Sequence, residues 1–255
     1  MELVLGQLPT LLTAIWWPFC RILGMFSASP IVGENMVPIS VRVLLSLVLA
    51  VIMMPFGQPA TAIEPMSLHA IVATGAQVLI GFVLGLAFHL VMATMAVLGF
   101  TASSQTGLSM AAMNDPMSGA SSDVISAIVY ILSILVFFSI DGHLVLTGVV
   151  GASFHAWPVD AGVDLTKLSS VAWQVAWVFS AALLLALPVI FSSLVVQLGF
   201  GFLNRVAPAL NLFSLGFSVV TLFGLFVLLH LTGALPGHFV RLTNQVLALL
   251  EQSMR

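Results

Sequence analysis

The sequence predicts an all-α integral membrane protein of about six long, kinked apolar helices, and three observations predict it. Of its 255 residues, 60% are hydrophobic and only 6% are charged, against about 25% charged in soluble globular chains. The apolar residues gather into runs that reach or exceed the roughly 20 residues a helix needs to cross a bilayer. Prolines, glycines and short polar turns separate those runs, as expected at helix ends.

Residues 8–29 form the first apolar segment, with Trp16, Trp17 and Pro18 early and Arg21 embedded. A charge at mid-depth costs about 2.5–3.5 kcal/mol on insertion scales. Arg21 therefore either faces protein or water, or snorkels to the interface. A short turn carrying Glu34 and Asn35 leads to the second segment, 38–56, in which Arg42 lies near the start and is expected to snorkel. Residues 57–67 read as a proline-containing loop. The third segment, 68–100, runs for 33 residues without a charged side chain. Either it tilts strongly or one end leaves the lipid. Gly81 and Gly85 have the G-x-x-x-G spacing that lets two helices touch backbone to backbone, and His89 follows on the side of Gly85, where a histidine satisfied inside a bundle is expected.

Residues 101–123 read as a loop, although an unusual one. The stretch from Gly99 to Asp123 is built of Gly, Ser, Thr, Ala and Met, with no charge before Asp115. A solvated connection carries Lys, Glu or Asp. Met110, Met113 and Met117 offer flexible, polarisable side chains that can fill an irregular gap and refill it after displacement. Two readings stand: a deformable, plug-like seal, or a re-entrant or poorly ordered loop whose methionines are incidental.

The fourth segment, 124–157, is interrupted at Asp141-Gly142-His143. Asp141 and His143 are too few to hold zinc, which takes three or four protein ligands. A helix break at Gly142 is expected there, with Asp141 and His143 capping or bonding freed backbone groups. After a polar loop at 158–170, the fifth segment, 171–203, again lacks charge over 33 residues and contains Pro188, which kinks a helix by removing a backbone bond. A short polar break with Arg205 and Pro208 precedes the sixth segment, 212–232. Residues 233–255 form a modestly amphipathic tail, expected as a helix at an interface.

Charge patterning gives little orientation. On a six-span reading Lys167, Arg241 and Arg255 fall on one side and Arg205 on the other, too weak a bias for the positive-inside rule. The net charge of −3 suggests no nucleic-acid partner. Cys20 is the one cysteine, so no internal disulfide can form. The first residues carry Glu2 and no Lys or Arg, so a cleavable signal peptide is not expected.

Enzyme readings find no support. The chain has no H-E-x-x-H, Walker or dinucleotide-binding motif. Gly107-Leu108-Ser109-Met110-Ala111 misses the G-x-S-x-G pattern at its last position and lacks the strand-turn-helix setting that motif requires. No catalytic residue, cofactor or metal is expected. An ion-coupled secondary transporter is the alternative from another class, since such proteins place broken helices at mid-membrane. Against it, no internal repeat is evident and the segments lack acidic residues.

The chain also resembles the FliR family of type III secretion export-gate proteins, which includes SpaR-like and YscT-like members, and the likeness runs nearly end to end. The matching pieces are Trp17-Pro18-Phe19-Cys20-Arg21 with Ser29-Pro30; Ile80 to Gly85; Gln105-Thr106-Gly107-Leu108-Ser109; Asp115-Pro116; Gly142-His143; Leu187-Pro188; Leu203 to Pro208; and Asn211 to Phe217. Asp141 departs from the Asn usual in that family. The resemblance implies one membrane domain of helical hairpins, assembling with FliP-like and FliQ-like membrane subunits and contacting an FlhB-like export-switch protein. It implies a gate in the bacterial inner membrane, at the flagellar basal body, through which unfolded flagellar proteins pass. The virulence injectisome holds an equivalent subunit, so that alternative stays open. The family's plug carries over to residues 105–121, including Gln105, Gly107, Leu108, Met110, Met113, Asp115, Pro116, Met117 and Gly119. Arg21, Gly81, Gly85, Gly142, His143, Pro188, Arg205 and Pro208 are expected in helix packing or contacts between subunits.

Overall fold

In the computed structural model, helices account for most of the described residues. The structure describes residues 2–33, 37–59, 63–64, 67–111, 113–114, 121–160, 169, 171, 173–206 and 212–254, of which 2–10, 110–111, 113–114, 121–122 and 212–215 are described in backbone only. In order these form α1 (Glu2–Ala28), α2 (Ile39–Met53), α3 (Leu68–Thr106), a 3-10 turn (Leu108–Ala111), two-residue strands β1 (Met113–Asn114) and β2 (Ser121–Ser122), α4 (Val124–Ser139), α5 (Gly142–Ala156), α6 (Val175–Val206) and α7 (Leu212–Met254).

Among the described residues four helices are long and apolar enough to cross a membrane, or five spans if α4 and α5 together make one. The 15-residue α2 is apolar but short of that length. Helix boundaries depart from the sequence reading at several points. α3 runs on to Thr106, which puts Gln105 on a helix rather than in a loop. At about 1.5 Å per residue its 39 residues span about 58 Å, roughly twice the hydrocarbon thickness. The expected segment 124–157 is two helices separated at Ile140 and Asp141. The expected tail is continuous with the last apolar segment, because α7 continues through Pro236 to Met254. α6 likewise continues through Pro188.

The chain folds as two compact units. The first comprises residues 1–90, 140–174 and 243–255, the second 91–139 and 175–242. In the first, α3 buries Ala70, Ala73, Gln77, Ile80, Leu84 and Ala87, a three-and-four spacing that lines one face of a helix. Against that face lies α1, which buries Trp17, Cys20, Ile22 and Met25. The two backbones meet directly. A Cβ at Gly81 would fall on the Arg21 carbonyl, one at Gly85 on the Met25 carbonyl, and one at Gly24 on the Val78 carbonyl. Three missing side chains thus permit a close crossing, the arrangement in which van der Waals contact replaces a hydrophobic driving force inside lipid.

The ends of the helices follow local chemistry. α1 stops before Ser29-Pro30, and the turn that follows holds Ile31 at φ 70 with Val32 N donating to Pro30 O at 2.8 Å. At the head of α5, Asp141 takes the left-handed conformation at φ 54, which Asp tolerates better than most residues. Its side chain makes no capping bond, contrary to the expectation above. Its carbonyl instead accepts from Leu144 N at 2.8 Å and Val145 N at 3.1 Å. His143 is exposed.

Candidate functional site

In the second unit, the root of the methionine-bearing loop is tied at both ends. On the entering side α3 ends at Thr106, and Gly107 turns the chain at φ +76 with its N–H donating to Ser104 O at 3.3 Å. Only glycine takes that conformation without penalty. A Cβ there would also meet the Phe217 ring of α7 at 2.6 Å. The Thr106 carbonyl, left without a helical partner, accepts from the Thr221 hydroxyl at 2.8 Å. One turn on along α7, a Cβ at Gly224 would fall on the Thr106 methyl. One end of the Gln105 carboxamide is held by the Ser193 hydroxyl of α6 at 2.9 Å. Four contacts from two helices therefore fix residues 105–107.

On the leaving side the chain enters α4 through Asp123. Its carboxylate accepts from Ser126 N at 2.8 Å and from the Ser126 hydroxyl at 2.8 Å, the capping arrangement that satisfies orphan amides of a first turn. Between the two roots, β1 and β2 pair antiparallel, Met113 opposite Ser122 and Asn114 opposite Ser121. This ladder brings the two arms of the loop together below its tip. Asp115, Pro116, Met117 and Gly119 lie outside the described residues, as do the side chains of Met110 and Met113. Leu108 and Ser109 sit half-buried in the 3-10 turn.

Beside this root opens a cleft of about 420 Å³, lined by Ser104, Gln105 and Gly107 from the α3 end, by Gln197, Phe200, Gly201 and Asn204 from α6, and by residues of α7 including Phe217. Pieces of sequence some hundred residues apart thus meet on one wall. Arg205, exposed in the last turn of α6, does not line the cleft; Pro208 lies outside the described residues. No group of three or more potential metal ligands occurs among the described residues.

The first unit holds a second polar cluster, around Arg21. This side chain is fully buried. Its Nε donates to Gln77 Oε1 at 2.7 Å, Nη1 to Ser153 Oγ at 3.0 Å and Nη2 to Trp157 O at 2.7 Å. The guanidinium carbon stands 4.1 Å from the centroid of the Phe154 ring. No carboxylate pairs with it among the described residues. Neutral dipoles hold the charge instead, including the carbonyl at the C-terminal end of α5, where the helix dipole favours a cation. Arg21 thus faces protein rather than snorkelling. Gln77, Ser153 and Trp157 escape a reading of sequence alone. The available signal for Gln77 is its position as the lone amide of the apolar segment 68–100, four residues before Gly81 on the same face.

Long apolar helices, broken at polar turns and carrying a buried arginine held by neutral dipoles, define a multi-pass membrane protein. A family model described as Bacterial export proteins, family 1, matches residues 12–246, and the chain belongs to that family. It is 31% identical over 236 residues to the flagellar biosynthetic protein FliR of Pectobacterium carotovorum, covering 92% of this chain and 90% of that protein. It is 30% identical over 246 residues to FliR of Escherichia coli, covering 94% and 92%. A more distant relative is the surface presentation of antigens protein SpaR of Shigella flexneri, 20% identical over 210 residues, with 82% and 81% covered.

Proposed function

We propose that this chain is a structural and gating subunit of the flagellar type III protein export gate, acting without catalysis. The reading rests on its family, whose relatives at about 30% identity are flagellar biosynthetic proteins, and on one structural observation. The loop between Thr106 and Val124 is rigidly rooted at both ends, by Gln105, Thr106 and Gly107 on one side and Asp123 on the other, while the stretch between is free of charge but for Asp115 and rich in methionine. Fixed roots with a plastic middle suit a seal. Met110, Met113 and Met117 pack across a lumen against partner side chains and exclude water and ions. An arriving unfolded flagellar protein displaces them, and they close behind it.

In this reading the chain works in the bacterial inner membrane, at the basal body, with FliP-like and FliQ-like subunits and an FlhB-like switch protein. Gly81 and Gly85 serve helix packing, and Arg21 ties α1 to α3 and the end of α5; Gly142, His143, Pro188, Arg205 and Pro208 serve helix ends or contacts between subunits. Deleting residues 110–117 in the assembled complex tests the seal. Raised ion conductance of the resting membrane, with the complex still assembled, supports it. Unchanged conductance rejects it. The injectisome reading draws on the SpaR likeness, at 20% the weaker of the two, and the neighbouring genes decide between them.

A further inference from the structure

The cleft at the foot of the loop gathers polar side chains on an otherwise greasy surface. α6 and the first half of α7 expose Leu, Val and Phe along most of their length. Yet Ser104, Gln105, Gln197 and Asn204 converge there beside Phe200 and Phe217. The side chains of Ser104, Gln197 and Asn204 are exposed and have no hydrogen-bond partner among the described residues. The end of the Gln105 carboxamide not held by Ser193 has none either. Against hydrocarbon, each unpaired amide or hydroxyl costs several kcal/mol. The cleft is therefore built to face water or polypeptide rather than lipid.

Its chemistry narrows the occupant. A carboxamide offers an acceptor and two donors, the same pair of functions as a peptide group, so it bonds a main chain whatever the side chains are. No acidic or basic side chain lines the cleft among the described residues, so charged and neutral segments are treated alike. Phe200 and Phe217 give apolar walls, and at Gly201, where a Cβ would meet nothing within 4 Å, the lining is open to the close approach of another backbone.

We propose that this cleft binds polypeptide in extended form through its main chain, and that its occupant is the exported protein in transit. The proposal rests on the gate reading above and adds to it a substrate site. It also couples that site to the seal. Gln105 belongs to both, because the carboxamide that a passing main chain would engage is the one that Ser193 uses to hold the loop root. A main-chain carbonyl accepts from the free Nε2 while Oε1 still accepts from Ser193, so the chain in transit and the loop root are joined through one carboxamide.

The test uses the whole assembled complex in native membranes, with a photoreactive phenylalanine analogue placed singly at Gln197 or Asn204 and, as a control, at Leu184, an exposed residue of the same helix. The substrate is a flagellar subunit fused to a stably folded domain that halts export midway. Adducts to the halted chain at 197 and 204 but not 184, persisting when the substrate segment is scrambled in sequence, support the proposal. Adducts only to a partner subunit, or only to lipid, overturn it. Each site variant is first checked for flagellin secretion, so a failure to assemble is recognised. Repeating the cross-link in the complex lacking residues 110–117 separates the two claims: adducts without a conductance change would retain the cleft and reject the seal. In an independent arm, Gln197→Leu and Asn204→Leu each lower the export rate about fivefold, the worth of one hydrogen bond of about 1 kcal/mol, with Asn204→Gln restoring most of it. No slowing in either variant overturns the proposal.

Discussion

Arg21 and Gln77, 56 positions apart in sequence, are joined inside the first unit by a 2.7 Å hydrogen bond from guanidinium Nε to amide Oε1. The same guanidinium closes on Ser153 and the Trp157 carbonyl, so one side chain of α1 ties α3 to the end of α5. Its planar fork matches three acceptors held in different directions, a geometry that an ammonium group reproduces poorly.

Replacing Arg21 by Met leaves the Gln77 amide oxygen and the Trp157 carbonyl without the guanidinium, while Ser153 keeps its bond to Val150 O, and the expected loss is about 2–3 kcal/mol. Arg21→Lys keeps the charge but not the fork and falls between. The thermal midpoint of the complex in mild detergent checks both; a midpoint for Arg21→Met equal to that of the parent would contradict the clamp.

Gly81 and Gly75 lie on the same helix and predict opposite outcomes. A methyl at Gly81 enters the Arg21 carbonyl, whereas one at Gly75 meets nothing within 4 Å. Gly81→Ala is expected to destabilise by about 1–3 kcal/mol through overpacking. Gly75→Ala is expected to be neutral or to stabilise by up to about 1 kcal/mol, since alanine suits a helix interior better. Denaturant titration of the two variants side by side reads the difference.

Gly107→Ala places a β-carbon on a left-handed residue and against the Phe217 ring. The backbone term alone costs about 1–2 kcal/mol. Phe217→Ala removes the ring clash but not the backbone penalty, so the double variant should recover only part of the loss. Protease sensitivity of the loop in the intact complex follows the change, rising in Gly107→Ala and falling partway in the double variant.

Asp123 caps α4 with both carboxylate oxygens. Asp123→Ala should cost about 0.5–2 kcal/mol, and Asp123→Asn considerably less. Faster amide hydrogen exchange over residues 124–127 in the alanine variant alone is the expected signature.

Much of the architecture was legible because its cause is local. Runs without charge, such as 68–100, can be satisfied in a bilayer only as helix, and the Gly81 and Gly85 spacing marks a face where backbones can approach. Boundaries were less legible. The end of α3 is set by Gly107 together with the bonds that Thr221 and Ser193 supply to Thr106 and Gln105, and no composition window contains those partners. The tail after residue 232 reads as a separate element because polar residues become commoner there, yet the hydrogen-bond ladder of α7 crosses Pro236 and runs to Met254. At Asp141 the helix break is evident from Asp-Gly, but it is the carbonyl rather than the carboxylate that serves α5, a choice made by backbone conformation.

Taken by itself, the order of amino acids determined that this is a membrane-embedded helical protein with a methionine-bearing loop of few charges near its middle, because transfer free energies and helix periodicity depend on neighbours along the chain. Only the tertiary structure decided which groups hold the Arg21 charge, which helices hold the loop root, and that Gln105, Gln197 and Asn204 share one cleft. Those are contacts across 56 to 136 positions for Arg21 and 88 positions for Gln105. Their existence depends on how helices cross in space, which a one-dimensional pattern does not contain.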